Sequence, residues 1–337
     1  MLRPMPKYKH VLALNPYFGD STALMGLFPP TGLEYIVASM KDLVGKVTLL
    51  DLRHEKIYQD PKALSKFIRD EIDLLCISIR WRSRFEDVCE FISQLPPEVC
   101  TVVGGYKATE EVEYLFDRCP NIAMIVRGEG EDIIKQIVTG VPSKDIRGLS
   151  YRENGGIVHN ENHPLPDITK IPFPDRSLRK RDYCMEKFGV RLTSHTFDTI
   201  LTTRGCPFHC KFCTFSLNPL GQKRNYTERT VESVVEELKT VTADVVLFSD
   251  DNFFTNPERS ERLCDLIIEN EIKKIFVVQA RIDMAKHPRV LEKAAKAAGP
   301  ETHDRCPGDE ASQALLDLTA SHEVAGEGTP LAGRSGA

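Results

Sequence analysis

The segment Arg204-Gly205-Cys206-Pro207-Phe208-His209-Cys210-Lys211-Phe212-Cys213 carries three cysteines at C-x3-C-x2-C spacing. A 4Fe–4S cluster that takes all of its ligands from the protein needs four thiolates, so this segment is one ligand short. We predict that Cys206, Cys210 and Cys213 each bind one iron of such a cluster. The fourth iron would stay open to an outside ligand, for which an amine and a carboxylate on adjacent carbons are suited.

Two other interpretations of the three cysteines stay open. A structural zinc site normally uses two pairs of ligands, and Cys184, Cys264 or His209 would have to complete it at an unusual spacing. The trio could also arise by chance, because the chain contains ten cysteines. We interpret His209 as a solvent-exposed spacer in the loop.

The sequence around this loop repeats a strand-then-helix pattern. The strand at 198–203 ends where the loop begins, which is the end at which βα-barrel enzymes keep their chemistry. Helices at 231–241, 259–270 and 289–298 alternate with further strands at 245–249 and 275–279, and Thr227 or Thr230 is predicted to cap the first helix. We therefore predict a partial (βα) barrel over residues 194–299. Residues 300–337 contain no Phe, Tyr, Trp or Ile and are predicted to form a disordered tail.

The first part of the chain has the same alternation, with nearly continuous apolar strands. The predicted strands are 10–14, 47–51, 74–79, 101–104 and 123–127, and the helices are 32–44, 61–70, 84–94, 109–118 and 131–139. This pattern is typical of an α/β fold with a doubly wound parallel sheet, Rossmann-like or flavodoxin-like, over residues 1–145. Residues 146–193 are predicted to form a hairpin, through Asn154-Gly155-Gly156, and a Pro-rich linker. Its basic stretch at 176–181 is interpreted as a solvated face.

Polar residues and glycines follow the predicted strands of this sheet. Parallel sheets bind ligands beyond the carboxyl ends of their strands, and glycine lets the backbone approach a flat ligand closely. An ordinary scaffold without a large cofactor would also need turn glycines, so each motif alone is weak. The candidate binding residues are Asn15, Ser78, Gly104, Gly105, Gly128 and Glu129.

The cysteine loop resembles the cluster loop of radical S-adenosylmethionine (SAM) enzymes. The ordered set Asn15-Pro16, Pro29–Leu33, Val103–Gly105 and Val126–Glu131 is similar to the cobalamin-binding half of cobalamin-dependent members. The resemblance implies three cofactors: a 4Fe–4S cluster, SAM and cobalamin. The D-x-H-x-x-G motif that often supplies a histidine to cobalt is altered here, because His54 stands one place late with no following glycine. Trp81 is a candidate to cover the corrin ring or to stack with neighbouring arginines.

The resemblance also implies roles for residues near the loop. Phe212 would contact the adenine of SAM, or pack beneath the loop. Asp250 or Asp251 would take the place of the family's Gly-Gly-Glu against the SAM amino group, with a turn and helix cap as the alternative. Gln279 and Arg281 would face the same side, and Arg281 would pair with the SAM carboxylate unless it forms an ion pair with Asp283 or Asp251.

The implied activity is reductive cleavage of SAM to a 5′-deoxyadenosyl radical, followed by methylation of an unactivated carbon. Hopanoid-methylating members make a lipid one possible small-molecule substrate; radical cyclisation or rearrangement is the alternative enzyme reaction. The chain looks shortened relative to the family, so an inactive cofactor-binding remnant is the third expectation. A flavodoxin or ferredoxin would supply electrons. The net charge of −5 argues against nucleic acid as a partner. No apolar run is long enough for a membrane span. Ten cysteines without the spacing of a disulfide framework suggest a cytoplasmic location.

Overall fold

The computed structural model describes residues 6–16, 27–79, 84–187, 190–208, 210, 213 and 218–298. Phe212, Trp81 and His209 lie outside these residues, as does the predicted tail at 300–337. None of the helices within the described ranges is long and apolar enough to cross a membrane.

The first part of the chain forms one seven-stranded sheet of order β2-β1-β3-β4-β5-β6-β7. The first five of these strands are parallel, and the last two add an antiparallel hairpin. The strands are β1 His10–Asn15, β2 Lys46–Asp51, β3 Leu74–Ser78, β4 Cys100–Gly104, β5 Ile122–Val126, β6 Leu149–Glu153 and β7 Gly156–His159. The order 2-1-3-4-5 is the flavodoxin-like arrangement, which confirms the predicted doubly wound sheet.

Helices cover both faces of this sheet. Alternation along β1 sends Leu12 and Leu14 into one apolar core and Val11 and Ala13 into the other. Helices α2 Pro61–Glu71, α3 Phe85–Ser93 and α5 Val112–Arg118 pack on the first core, and α1 Thr31–Met40 and α6 Glu131–Thr139 on the second.

The helix predicted at 109–118 is wrong in its extent, because two helices occupy this region. Helix α4 Tyr106–Glu110 begins three residues earlier than predicted, directly after Gly105, and α5 follows it. The break is at Glu111, whose φ of −119° and ψ of 42° are not helical. Gly105 has φ +105°, and a Cβ there would lie 2.7 Å from the carbonyl oxygen of Ile79. Only glycine fits this abrupt turn from strand to helix.

The second part of the chain forms a four-stranded sheet of order β13-β12-β9-β8. Strands β9 Val190–Ile200, β12 Val245–Phe248 and β13 Ile275–Val277 are parallel, and β8 Tyr183–Lys187 runs antiparallel to β9. Helices α7 Val231–Thr240, α8 Pro257–Glu269 and α9 Pro288–Ala298 complete three βα units, and a short ladder joins β10 Thr203–Arg204 to β11 Thr227–Glu228. Thr230 caps α7 by accepting a hydrogen bond from the Ser233 backbone. The β8–β9 hairpin was not predicted from the sequence.

The basic stretch at 176–181 is not simply a solvated face, which corrects the sequence interpretation. The Arg179 guanidinium donates to Glu34 on α1 at 2.6 and 2.7 Å and to Asp198 on β9 at 2.8 and 2.9 Å. Arg176 donates to Asp198 at 2.6 Å and to Glu237 on α7 at 3.0 Å. Both arginine side chains are nearly buried. This segment therefore connects the two sheets through paired charges.

Candidate functional site

A cavity of about 370 Å³ lies between the two parts of the chain. It sits beyond the carboxyl ends of β3, β4 and β5, which is where parallel sheets bind ligands. The second part contributes its other wall, from the start of the cysteine loop and the end of β12. Its lining residues include Ser78, Gly104, Gly105, Tyr106, Thr109, Gly128, Glu129, Gly130, Glu131, Leu201, Thr203, Arg204, Asn218, Arg224, Ser249 and Asp251.

Five of the six strand-end candidates named from the sequence line this cavity together: Ser78, Gly104, Gly105, Gly128 and Glu129. Asn15 is not among the described residues that line it. Its side chain is buried and donates to Asp51 at 2.9 Å. The His54 ring packs against Tyr183, with ring centroids 5.2 Å apart, and His54 is likewise not among the described lining residues.

A cluster of four charged residues crosses from one wall of the cavity to the other. Arg204, one residue before the turn into the cysteine loop, donates to both Glu129 and Glu131 beyond β5. Arg224 lies 2.8 Å from the second oxygen of Glu129. The two glutamate side chains are almost fully buried. These ion pairs join the loop that carries Cys206 to the strand ends of the first sheet.

Asp250 and Asp251 have different surroundings although they are adjacent. The Asp250 carboxylate is 1% exposed and accepts hydrogen bonds from the Thr202 and Thr203 backbones, at 2.7 and 3.0 Å, and from the Thr202 hydroxyl. These hydrogen bonds fix the backbone that follows β9 and use both oxygens of Asp250. Asp251 lines the cavity and accepts from the Gly205 backbone at 3.0 Å. Burial raises the pKa of both carboxyl groups. Asp251 is the better placed of the two to contact a ligand.

Arg281 lies against the cysteine loop. Its guanidinium is 3.3 Å from the Cys210 sulfur, stacks on the Phe208 ring at 3.8 Å and pairs with Asp283 at 3.3 Å. The ion pair with Asp283, the alternative considered from the sequence, is thus present together with the loop contact. Gln279 is exposed, and its backbone carbonyl accepts from Phe253.

The three loop cysteines differ from most other cysteines of the described chain. Cys206, Cys210 and Cys213 form no disulfide and are half-buried, whereas Cys76, Cys89, Cys119, Cys184 and Cys264 are buried. Burial, with the nearby Asp251 and Cys213, raises the pKa of the Cys206 thiol. Among the described residues, no three His, Cys, Asp or Glu side chains converge closely enough to hold a metal ion. Three cysteine side chains on one loop are nonetheless the donors that would hold three irons of a 4Fe–4S cluster. The cluster assignment stays a prediction.

Sequence reasoning missed several residues of this site: Thr203, Arg204, Phe208, Arg224 and Glu131. Arg204 and Glu131 stand inside the two motifs quoted above, and their opposite charges were the available signal. Their pairing was not evident because 73 residues separate them.

Comparison with known proteins gives two matches on the two sides of the cavity. A family model described as "B12 binding domain" matches residues 22–138, and one described as "Radical SAM superfamily" matches residues 200–303. An uncharacterized methyltransferase of Pyrococcus horikoshii is 30% identical over 280 residues, which cover 80% of this chain and 58% of that protein. Hopanoid C-3 methylase of Methylococcus capsulatus is 25% identical over 284 residues, which cover 81% and 52%.

A solved structure gives a similar fold. The cobalamin-dependent SAM radical enzyme OxsB, solved with aqua-cobalamin and SAM bound, has a TM-score of 0.63 at 18% identity, covering 84% of this chain and 40% of that one. The chain spans little more than half the length of the two curated relatives.

Proposed function

We propose that the chain is a cobalamin-dependent C-methyltransferase of the radical SAM type, because a B12-binding model matches its first part and a radical SAM model its second. The proposed cofactors are a 4Fe–4S cluster, SAM and cobalamin. The proposed substrate is a small molecule or lipid with an unactivated carbon, as the relationship to a hopanoid methylase suggests.

One observation carries this proposal: Thr203 and Arg204, at the start of the cysteine loop, and the glycines at the strand ends of the first sheet line a single cavity. The reaction needs the SAM-derived radical, the methyl donor and the substrate close together, because a carbon radical must react with its intended partner before it reacts with anything else. Arg204 spans the two walls at this point.

The residues fit the groups that the proposal requires. Gly104, Gly105 and Gly128 line the cavity where a corrin ring would lie against the strand ends. Cys206, Cys210 and Cys213 would hold the cluster.

The chain's own residues would orient SAM. Asp251 would accept from its amino group and Arg281 would pair with its carboxylate, each beside the cysteine loop. When bound, the cluster and SAM supply a carbon radical and cobalamin supplies the methyl group. The surrounding apolar residues would keep water from the reacting carbon. We further propose a flavodoxin or ferredoxin as electron donor and a cytoplasmic location, since both suit an oxygen-sensitive cluster.

The test is anaerobic reconstitution of the full chain with iron and sulfide, followed by addition of hydroxocobalamin and methyl-labelled SAM. We expect about four irons per chain, cleavage of SAM under reducing conditions, and label on the cobalamin. Alanine at Cys206, Cys210 or Cys213 should abolish the cluster's absorbance and spin-resonance signals. Cys100→Ala, outside the loop, should retain them. Bound zinc in place of the cluster, or SAM cleavage with no methyl transfer, would overturn the proposal.

A further inference from the structure

The Arg281 side chain contacts the cysteine loop at two points. Its Nη1 atom donates to the Cys210 sulfur at 3.3 Å, and its guanidinium lies over the Phe208 ring, 3.8 Å from the ring centroid. Cys210 is one of the three cysteines predicted to bind iron. The hydrogen bond from Arg281 would therefore reach a ligand of the cluster directly.

An acid close to Arg281 in the chain holds the guanidinium from another direction. Asp283 Oδ2, in the segment that follows β13, accepts from Arg281 Nε at 3.3 Å. An arginine carries its five N–H groups on three nitrogens in one rigid plane. With Nε on Asp283 and the plane on Phe208, Nη1 is directed at Cys210. The remaining nitrogen, Nη2, can still serve the proposed pairing with the SAM carboxylate.

A charged donor on a ligand sulfur changes the free energy of reducing an iron–sulfur cluster. Reduction adds one negative charge, which the thiolate sulfurs share. Hydrogen bonds that involve ionised groups are the stronger ones, and hydrogen bonds to the sulfurs are among the features that set the reduction potential. Arg281 would therefore stabilise the reduced form more than the oxidised form.

We propose that Arg281 raises the reduction potential of the 4Fe–4S cluster through its hydrogen bond to Cys210. This inference rests on the proposed function, since it assumes that the cysteine loop holds the cluster. It goes beyond the proposed pairing of Arg281 with SAM, because the effect on the potential is present before SAM binds.

The matched control for Arg281 is Lys286. Both side chains line the same cleft beside the cysteine loop, and both carry one positive charge in the segment that follows β13. Lys286 is exposed, and of these two residues it is Arg281 that donates to a loop cysteine in the described structure. Arg281→Gln and Lys286→Gln therefore remove the same charge from the same segment, and only the first removes a charged donor from a proposed iron ligand.

The experiment measures the midpoint potential of the reconstituted full chain by dye-mediated titration, before SAM or cobalamin is added. The spin-resonance signal of the reduced cluster is followed. For Arg281→Gln, we expect the ratio of reduced to oxidised cluster at a given potential to fall about tenfold, a downward shift of about 59 mV for a one-electron couple. Lys286→Gln should have a much smaller effect, because water and salt screen a charge that makes no direct contact. Arg281→Lys, which keeps a charged donor, should lie between Arg281→Gln and wild type.

The outcomes separate this inference from the proposed function. If the wild-type chain assembles no cluster, the proposed function itself fails. If the cluster assembles and Arg281→Gln leaves the potential unchanged, the inference is wrong, and weaker SAM binding at that unchanged potential would assign Arg281 to SAM alone. Equal shifts in Arg281→Gln and Lys286→Gln would also overturn it, since net charge would then explain the effect. So would loss of iron from Arg281→Gln, because Arg281 would then be needed for the structure of the loop.

Discussion

Asp250 and Asp251 illustrate how two adjacent side chains of one type can serve different purposes. We expect Asp250→Asn to lower the free energy of unfolding by about 2 kcal/mol, because an NH₂ group would replace one of the two oxygens that accept from three donors at a buried site. Asp251→Asn should cost less, since its remaining oxygen can still accept from Gly205, but it should weaken SAM binding. Urea denaturation and calorimetric titration of SAM into the reconstituted chain check both. The reverse order of effects would contradict the assignment.

Gly205 is a second residue whose surroundings decide the effect of a substitution. Its φ is +80°, and a Cβ there would lie 2.6 Å from the carbonyl oxygen of Asn225. Gly155 has the same φ in the hairpin turn, with nothing within 4 Å of the added Cβ. Gly155→Ala should therefore cost about 1 kcal/mol of stability, from backbone strain alone.

Gly205→Ala should cost more than Gly155→Ala and should also reduce iron loading, because the turn into the cysteine loop must move. Denaturation and iron counting on the two variants compare them directly. Equal losses of stability with full iron loading in both would show that the contact with Asn225 has no effect.

At this scale the sequence predicted the types of site residue better than their contacts. Glycines and acids at strand ends pointed to the cavity, and five of six candidates line it. Asn15 does not, because Asp51, on the neighbouring strand, takes its amide. Whether Asp250 or Asp251 binds the backbone depends on the path of the chain after β9. No local sequence pattern encodes that path.

The elements were predictable where their stabilisation is local. Apolar alternation, the proline at the start of α2 and the Thr230 cap of α7 are all encoded within a few residues. The β8–β9 hairpin and the buried role of the segment at 176–181 were not predicted. The partners of that segment are distant in sequence, since 145 residues separate Arg179 from Glu34. From sequence alone, a basic stretch whose acidic partners are distant in the chain looks the same as a basic stretch on the surface.

Arg179 is the residue through which this segment should matter most. Arg179→Met would leave Glu34 and Asp198 buried with one partner fewer, so we expect a loss of about 3–5 kcal/mol in stability. Lys170→Met, in the same linker, removes a pair whose lysine is 80% exposed and should have little effect. Urea unfolding of both variants is the measurement, with limited proteolysis as a second readout of linker release. Similar midpoints for the two variants would contradict a role for Arg179 in joining the sheets.

For the whole molecule, the two sheets are held together at more than one place. Arg204 with Glu129 and Glu131 joins them at the cavity, and Arg179 with Glu34 joins them at the linker. A third junction is at Asp51, at the end of β2, which accepts from the Tyr183 hydroxyl on β8 at 2.9 Å. Because each junction involves a buried charge, the relative position of the sheets should depend on the ionisation of these groups.

Asp51 provides the clearest case for a dependence on pH. Burial by itself would raise the pKa of its carboxyl group, but hydrogen bonds from Arg53 and Asn15 outweigh burial, and the pKa lies below its usual value. A carboxyl group whose pKa is lowered on folding stabilises the protein above its unfolded pKa of about 4. That contribution is lost as the pH falls through the folded pKa.

The corresponding variant is Asp51→Asn, which cannot ionise. We expect the difference in unfolding free energy between wild type and this variant to be fully present at pH 7 and at pH 5, and to shrink as the pH falls below about 4. Urea unfolding across this range measures it, with Asp145→Asn, at an exposed position, as the control for the same substitution outside the junction. A difference for Asp51→Asn that is independent of pH would mean that the folded structure does not favour the ionised carboxylate, and that Asp51 joins the two sheets through hydrogen bonds alone.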